Sequence, residues 1–199
     1  MKYISIDIET TGIDPNKDQI LSIGAIIEDT NNLLTFEECP KFHVALVNDR
    51  IEGSPFALNM NKDLIGLISK WMNSDSDTQE VIESENNINF TWAELVARKF
   101  QSFLITNDFE AGYPMSITVA GKNFGTFDKL FLEKLPEWND LIRIKQRIID
   151  PAVLYVDWSS DKELPNLPKC KSRAGLEEIV THNALEDAWD VIQVLRQKY

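Results

Sequence analysis

The chain has 199 residues, 43% of them hydrophobic, with 20 basic against 32 acidic side chains and a net charge of −12. That size and composition fit one domain over residues 1–199 with a sizeable core, and the acidic balance excludes a protein that coats nucleic acid through a broad basic surface. No run of about 18 apolar residues is present, which excludes a membrane-spanning helix. The first residues lack a basic, then apolar, then small-residue signal, so a cytoplasmic chain is expected.

The first element reads as a strand. In Ile4-Ser5-Ile6-Asp7-Ile8-Glu9 the isoleucines alternate with polar residues. Period-two geometry puts Asp7 and Glu9 on one face, about 7 Å apart. Two neighbouring carboxylates repel each other and gain nothing from burial. Their pairing makes sense around a hard divalent cation, which prefers oxygen ligands. The competing reading is an amphipathic strand with a wetted acidic face.

Residues 11–16, Thr-Gly-Ile-Asp-Pro-Asn, then turn the chain, and Asp14 and Asp18 read as turn residues. A largely apolar second strand is expected over residues 19–28, with Gly24 inside it. A third is expected over 33–37, and a further extended piece over 42–47. Tight turns between consecutive strands imply an antiparallel meander. His43 falls opposite Phe42, Val44 and Leu46 and reads as a surface strand histidine.

The middle of the chain reads as helical. Residues 61–72 carry Leu64, Ile65, Leu67, Ile68, Trp71 and Met72 at the spacing of one buried face. Residues 73–89 are polar and acidic and read as a surface loop or insertion. Thr91-Trp92-Ala93-Glu94 has the form of a capping box opening a helix through Leu104. A short strand follows over 116–120, then a loop over 122–126 and a helix over 127–135. Ile148-Ile149 ends another strand, and Asp150-Pro151 starts a helix as cap and first residue. Residues 157–171 form a second surface insertion. Short and long helices are expected over 174–180 and 183–197, with Trp189 in the core and Asp190 on the surface. Cys39 and Cys170 make no disulfide framework and fit a reducing compartment. The order implies an α/β fold, a mixed sheet covered by helices on both faces.

Two more acidic positions stand out. Asp128, in Asn123-Phe124-Gly125-Thr126-Phe127-Asp128, lies in the first turn of a helix directly after a strand. A carboxylate complementing the helix dipole is the plain alternative. In His182-Asn183-Ala184-Leu185-Glu186-Asp187, Asn183 and Glu186 are spaced as N-cap and N3. His182 then sits just outside the helix and Asp187 just over one turn inside. A loop histidine there can swing over a site that the helical carboxylate helps to build.

Asp-Ile-Glu-Thr-Thr-Gly, Asn-x-x-x-Phe-Asp and His-x-x-x-x-Asp, in this order, resemble the three motifs of the DEDD-type 3′→5′ exonucleases. The third has the form of the histidine subclass, which includes polymerase proofreading subunits, oligoribonuclease and ribonuclease T. The resemblance runs from Tyr3 to about Leu195 and implies a ribonuclease H-like fold, with an antiparallel three-stranded start followed by parallel strands. It implies that Asp7, Glu9, Asp128 and Asp187 hold two divalent ions, Mg²⁺ or Mn²⁺, with His182 as general base and Glu9 counted with it among the catalytic residues. Phosphodiester hydrolysis needs an activated water and a stabilised leaving oxygen. Two ions about 3.5–4 Å apart supply both, and four carboxylates balance their charge. Histidine suits proton removal because its ordinary pKa lies near 6.5.

The resemblance further makes Thr10, Thr11, Gly12 and Ile13 candidates for contact with the terminal nucleotide, Ile13 as a wedge against its base. Asn123 and Phe124 are candidates for sugar or base, Phe124 by stacking or else by ordinary packing. The implied substrate is the 3′ end of single-stranded DNA or RNA, released as nucleoside 5′-monophosphates. An RNA-trimming, oligoribonuclease-like enzyme and a catalytically idle binding module are the alternatives. A homodimer is a candidate assembly. No polymerase-binding tail and no membrane partner are indicated.

Overall fold

The alternating isoleucines form β1 (Lys2–Thr10), which lies inside a five-stranded sheet in the computed structural model; residues 1–109 and 112–199 are described. β2 (Ile20–Asp29) and β3 (Lys41–Val47) continue antiparallel. Their register places Asp7 opposite Gly24 and Gly24 opposite His43. The strand expected over residues 33–37 does not form. Glu38 accepts from the backbone N and Oγ1 of Thr35 at 3.0 and 2.9 Å, closing a turn, and Leu34 and Phe36 pack into the core.

α1 (Pro55–Met60) and α2 (Lys62–Met72) follow. Where a loop was expected over 73–89, the chain forms α3 (Ser76–Asn86). Asp75 caps it by accepting from Thr78 N at 2.9 Å, Asn87 ends it at φ 48°, and Ile82 anchors it in the core. β4 (Asn89–Trp92) then pairs parallel with β3 at the sheet edge. It takes up Thr91, so the expected capping box is not made. α4 (Ala93–Thr106) starts without a side-chain cap, and the buried Thr91 hydroxyl has no partner.

The single strand expected over 116–120 is two. β5 (Met115–Ile117) is followed by β6 (Val119–Ala120), which pairs parallel with β1. α5 (Asp128–Leu132) and α6 (Trp138–Leu141) lead to β7 (Ile142–Ile144), the partner of β5 in a small second sheet. Asp150 accepts from Ala152 N at 2.8 Å at the start of α7 (Ala152–Tyr155), and its other oxygen accepts from Asn123 N at 3.0 Å. α8 (Leu167–Arg173) forms before the stretch expected to be helical. Asn166 caps it through Lys169 N, and Gly175, at φ 76°, follows its end. α9 (Ala184–Arg196) closes the described chain, as expected.

The sheet order is β4-β3-β2-β1-β6, so the expected mixed sheet is present. One face carries Ile4, Ile6 and Ile8 against Val96, Phe100 and Leu104 of α4. The other carries Tyr3 and Ile26 against Leu185, Val191 and Ile192 of α9. Each isoleucine fully buried there contributes about 1.5–3 kcal/mol. A third cluster, Leu21, Ala45 and Val47 with Ile68 and Ile82, lies under α2 and α3. Among the described residues no helix is long and apolar enough to cross a membrane.

Candidate active site

Because Ile4, Ile6 and Ile8 face α4, Asp7 and Glu9 face α9. Gly24 lets the two elements close up. A Cβ there would lie 2.3 Å from the carbonyl carbon of Ala184 and from the amide nitrogen of Leu185. α9 starts at this contact because the Asn183 side chain accepts from the backbone N–H of Leu185 and Glu186 at 3.0 and 3.3 Å. One turn on, Asp187 is delivered to the strand face. Asp128 comes from α5, and Ile8 N–H donates to its Oδ1 at 3.1 Å. His182 precedes the cap, exposed and at φ 55°. Ligand atoms of Glu9, His182 and Asp187 all lie within 4.8 Å of one another.

The four carboxyls perturb one another. Burial holds Asp7 well above the ordinary carboxylate range, and the charges of Asp128, Asp187 and Glu9 push the same way. Burial and then Asp187 raise Glu9 to about 8, against a lowering hydrogen bond from Asn61. Burial raises Asp128 to about 7, opposed by the Ile8 N–H. Asp187 is raised to about 6 by burial and Asp190, opposed by His182, the Thr181 amide and Lys171. Buried Asp187 Oδ1 has no hydrogen-bond partner. Acids brought together at this cost, one with an orphaned oxygen, fit the donor set of a hard divalent cation.

A cavity of about 390 Å³ opens beside Glu9 and His182 and runs past Ser22 to His43, Leu64 and Asn86. This is the size of a small-ligand site. Among the described residues that line it there is no Lys or Arg.

Several residues stand elsewhere than their sequence suggests. His43 is half-buried rather than on the open surface. It lines this cavity, its Nδ1–H donates to Asn87 O at 2.9 Å, and burial lowers its pKa. Phe124 is fully buried in the core, leaving no ring face for a base. Asn123 is exposed at φ 57°. Thr10 and Thr11 are buried and shape the turn. Thr10 Oγ1 donates to Gly12 O at 2.6 Å, and Thr11 Oγ1 accepts from Gln19 N at 2.9 Å. Gly12 packs so tightly on Asp18 that a Cβ would lie 2.2 Å from its carboxylate. Ile13 projects beyond it, 85% exposed. Asp190 is half-buried and paired with Lys171, and Trp189 is half-buried against Phe36.

Asn61 was not legible as a site residue. Its Nδ2 donates to Thr10 O and Ala57 O at 3.2 and 3.3 Å, and its side chain lies beside Glu9 and lowers that residue's pKa. Its position before α2 reads as an ordinary cap, yet it makes no capping bond. Only the fold brings it to Glu9.

Fold and site together define a ribonuclease H-like protein in which Asp7, Asp128 and Asp187 lie close enough to Glu9 to perturb it or one another, with His182 beside Glu9 and Asp187. The sequence profile of the ribonuclease T-type exonuclease family matches residues 4–195. The chain belongs to this exonuclease family, in the DEDD-type 3′→5′ class. Its relatives include the oligoribonuclease of Yersinia pseudotuberculosis, 25% identical over 187 residues that make up 92% of this chain and 86% of the relative. The oligoribonuclease of Haemophilus influenzae is 27% identical over 194 residues, 96% of this chain and 90% of the relative. Among solved structures, E. coli Exonuclease I in complex with a dT13 oligonucleotide aligns with 99% of this chain at a TM-score of 0.57 and 16% identity. The chain spans 40% of that structure's length, and the likeness shows the fold.

Proposed function

We propose that the chain hydrolyses single-stranded nucleic acid from the 3′ end, with divalent metal ions held by Asp7, Glu9, Asp128 and Asp187 and with His182 as the proton acceptor. The observation that supports this most is the grouping of Glu9, His182 and Asp187 within 4.8 Å, with Asp7 and Asp128 electrostatically coupled to it. Divalent cations bound there supply the charge that activates water and stabilises the departing oxygen. His182 takes the proton of the attacking water as oxygen adds to phosphorus. The bond from phosphorus to the 3′ oxygen of the preceding nucleotide breaks, and that oxygen takes up a proton from solvent water. The products are a nucleoside 5′-monophosphate and a strand one residue shorter with a free 3′-hydroxyl. Asn61 favours the charged form of Glu9, and Ile8 N–H orients Asp128.

Within this reading, short RNA is the favoured substrate. The oligoribonucleases are matched over most of their length, and their name states that substrate class. The test uses 5′-labelled single-stranded DNA and RNA oligomers of one sequence with Mn²⁺, Mg²⁺ or EDTA, on wild type and Asp7→Ala. A ladder shrinking from the 3′ end, faster on RNA and lost with EDTA or in the variant, is expected. No cleavage of either strand by folded protein under any metal would overturn the nuclease reading in favour of a binding module.

A further inference from the structure

The segment that carries His182 has no regular structure of its own. Between α8 and the Asn183 cap the chain passes Gly175 at φ 76° and reaches His182 at φ 55°. An exposed ring on such a backbone needs an external hold to stay in one place.

Lys171 supplies that hold. It is buried, and its Nζ donates to the carbonyl oxygen of Ile179, three residues before His182. The same Nζ pairs with Asp190 Oδ2 at 2.5 Å, the two side chains being 8% and 14% exposed. Asp190 lies on α9, about one turn beyond Asp187. One ammonium group thus joins α8, the His182 segment and α9. On the near side of the segment, the Thr181 amide faces the Asp187 carboxyl. The main chain adds a further tie, Leu176 N donating to Lys171 O at 2.9 Å.

A buried ion pair is weak support for stability, because its desolvation cost rivals its attraction, and apolar pairs of similar volume often replace such pairs without loss. An apolar pair, however, cannot donate to the Ile179 carbonyl. That bond distinguishes this ion pair from packing.

We propose that Lys171 is a positioning residue for the reaction: by tying the Ile179 carbonyl to Asp190 it fixes His182 beside Glu9 and Asp187. The inference rests on His182 being the proton acceptor.

The test compares Lys171→Met, Lys171→Arg and Lys171→Met/Asp190→Leu, each with and without His182→Ala. kcat and KM are read on a single-stranded oligonucleotide with Mn²⁺, alongside the thermal midpoint. Lys171→Met is expected to lower kcat about 10- to 100-fold with KM changed less than about threefold. Lys171→Arg, which keeps donors, recovers part of the loss. The Met/Leu pair regains thermal stability and keeps the kcat defect. In the His182→Ala background Lys171→Met adds no further loss, because the residue acts through His182. Recovery of kcat together with stability in the Met/Leu pair would assign Lys171 to packing alone and overturn the proposal, as would full multiplicative losses with His182→Ala. A large His182→Ala effect beside wild-type kcat in Lys171→Met overturns this proposal and leaves the nuclease reading standing. A His182→Ala substitution without effect on kcat overturns this proposal and the role of His182 as proton acceptor, while the nuclease activity it is measured by stands.

Discussion

The backbone N–H of Ile8 donates to Asp128 Oδ1 at 3.1 Å, a buried bond between residues 120 positions apart. Ile8 is the residue between the two acids of the first motif. The strand that carries Asp7 and Glu9 therefore also aims the acid of the second motif. Donation of this N–H opposes the rise that burial imposes on Asp128.

This bond separates two roles of one side chain. Asp128→Asn keeps an oxygen for the Ile8 N–H and removes the charge. Nuclease activity should fall by orders of magnitude while the metal-free protein keeps or gains stability, since charge repulsion is relieved. Asp128→Ala should lose the same activity and also about 1–3 kcal/mol, because the buried Ile8 donor is left unpaired. Denaturant unfolding of both variants without metal checks this. Equal stability of the two would show that the bond carries no weight.

The acids and the histidine were legible because local rules place them. Alternation puts Asp7 and Glu9 on one face, and the Asn183 cap sets Asp187 one turn in. Parts settled by tertiary contact were not legible. Residues 76–86 are acidic with little apolar periodicity, and their helix depends on Ile82 reaching the core and on Trp71 Nε1 donating to Glu83 at 3.1 Å. His43 lies on a strand buried on both faces, since α2 and α3 cover the side opposite Phe42, Val44 and Leu46. Thr91 has the spacing of a cap, but β-pairing with Leu46 claims it. Asn61 and Lys171 reach the site through long-range hydrogen bonds that no spacing in the sequence encodes.

Metal-free protein should lose stability as the pH rises. Glu9, Asp128 and Asp187 have folded-state pKa values of about 8, 7 and 6, above the value of about 4 for an unfolded carboxyl. The folded state thus binds more protons than the unfolded one. The stability this brings is full below about pH 4 and is lost as the pH rises through the folded values. The thermal midpoint in EDTA should therefore fall between about pH 5 and pH 8. Mn²⁺ should raise it most at the upper end, and Asp7→Asn should flatten the slope. A midpoint in EDTA that climbs over this window would contradict the mutual repulsion of the cluster.

His182→Ala should reduce kcat about 10²–10⁴-fold, the range for a lost general base. The ring is exposed, so the thermal midpoint should move little. A loss below about threefold would remove His182 from proton transfer.

Gly24 offers a test of the scaffold without touching a charged group. An added Cβ would meet the backbone of Ala184 and Leu185 at 2.3 Å, and backbone cannot rotate away as a side-chain tip can. Gly24→Ala must therefore push the start of α9 off the sheet. That carries Asp187 and His182 away from Asp7 and Glu9. Over-packing of this kind costs about 1–3 kcal/mol, and a displacement near 1 Å costs about 10²-fold in rate. Gly66→Ala in α2 is the matched control. A Cβ there meets nothing within 4 Å, and alanine stabilises a helix interior by about 0.5–1 kcal/mol relative to glycine. The control should melt higher with unchanged kcat, whereas Gly24→Ala should melt lower and lose activity even at temperatures where it is fully folded. Wild-type activity in Gly24→Ala would mean that the closeness of α9 to the sheet does not set the geometry of the acids.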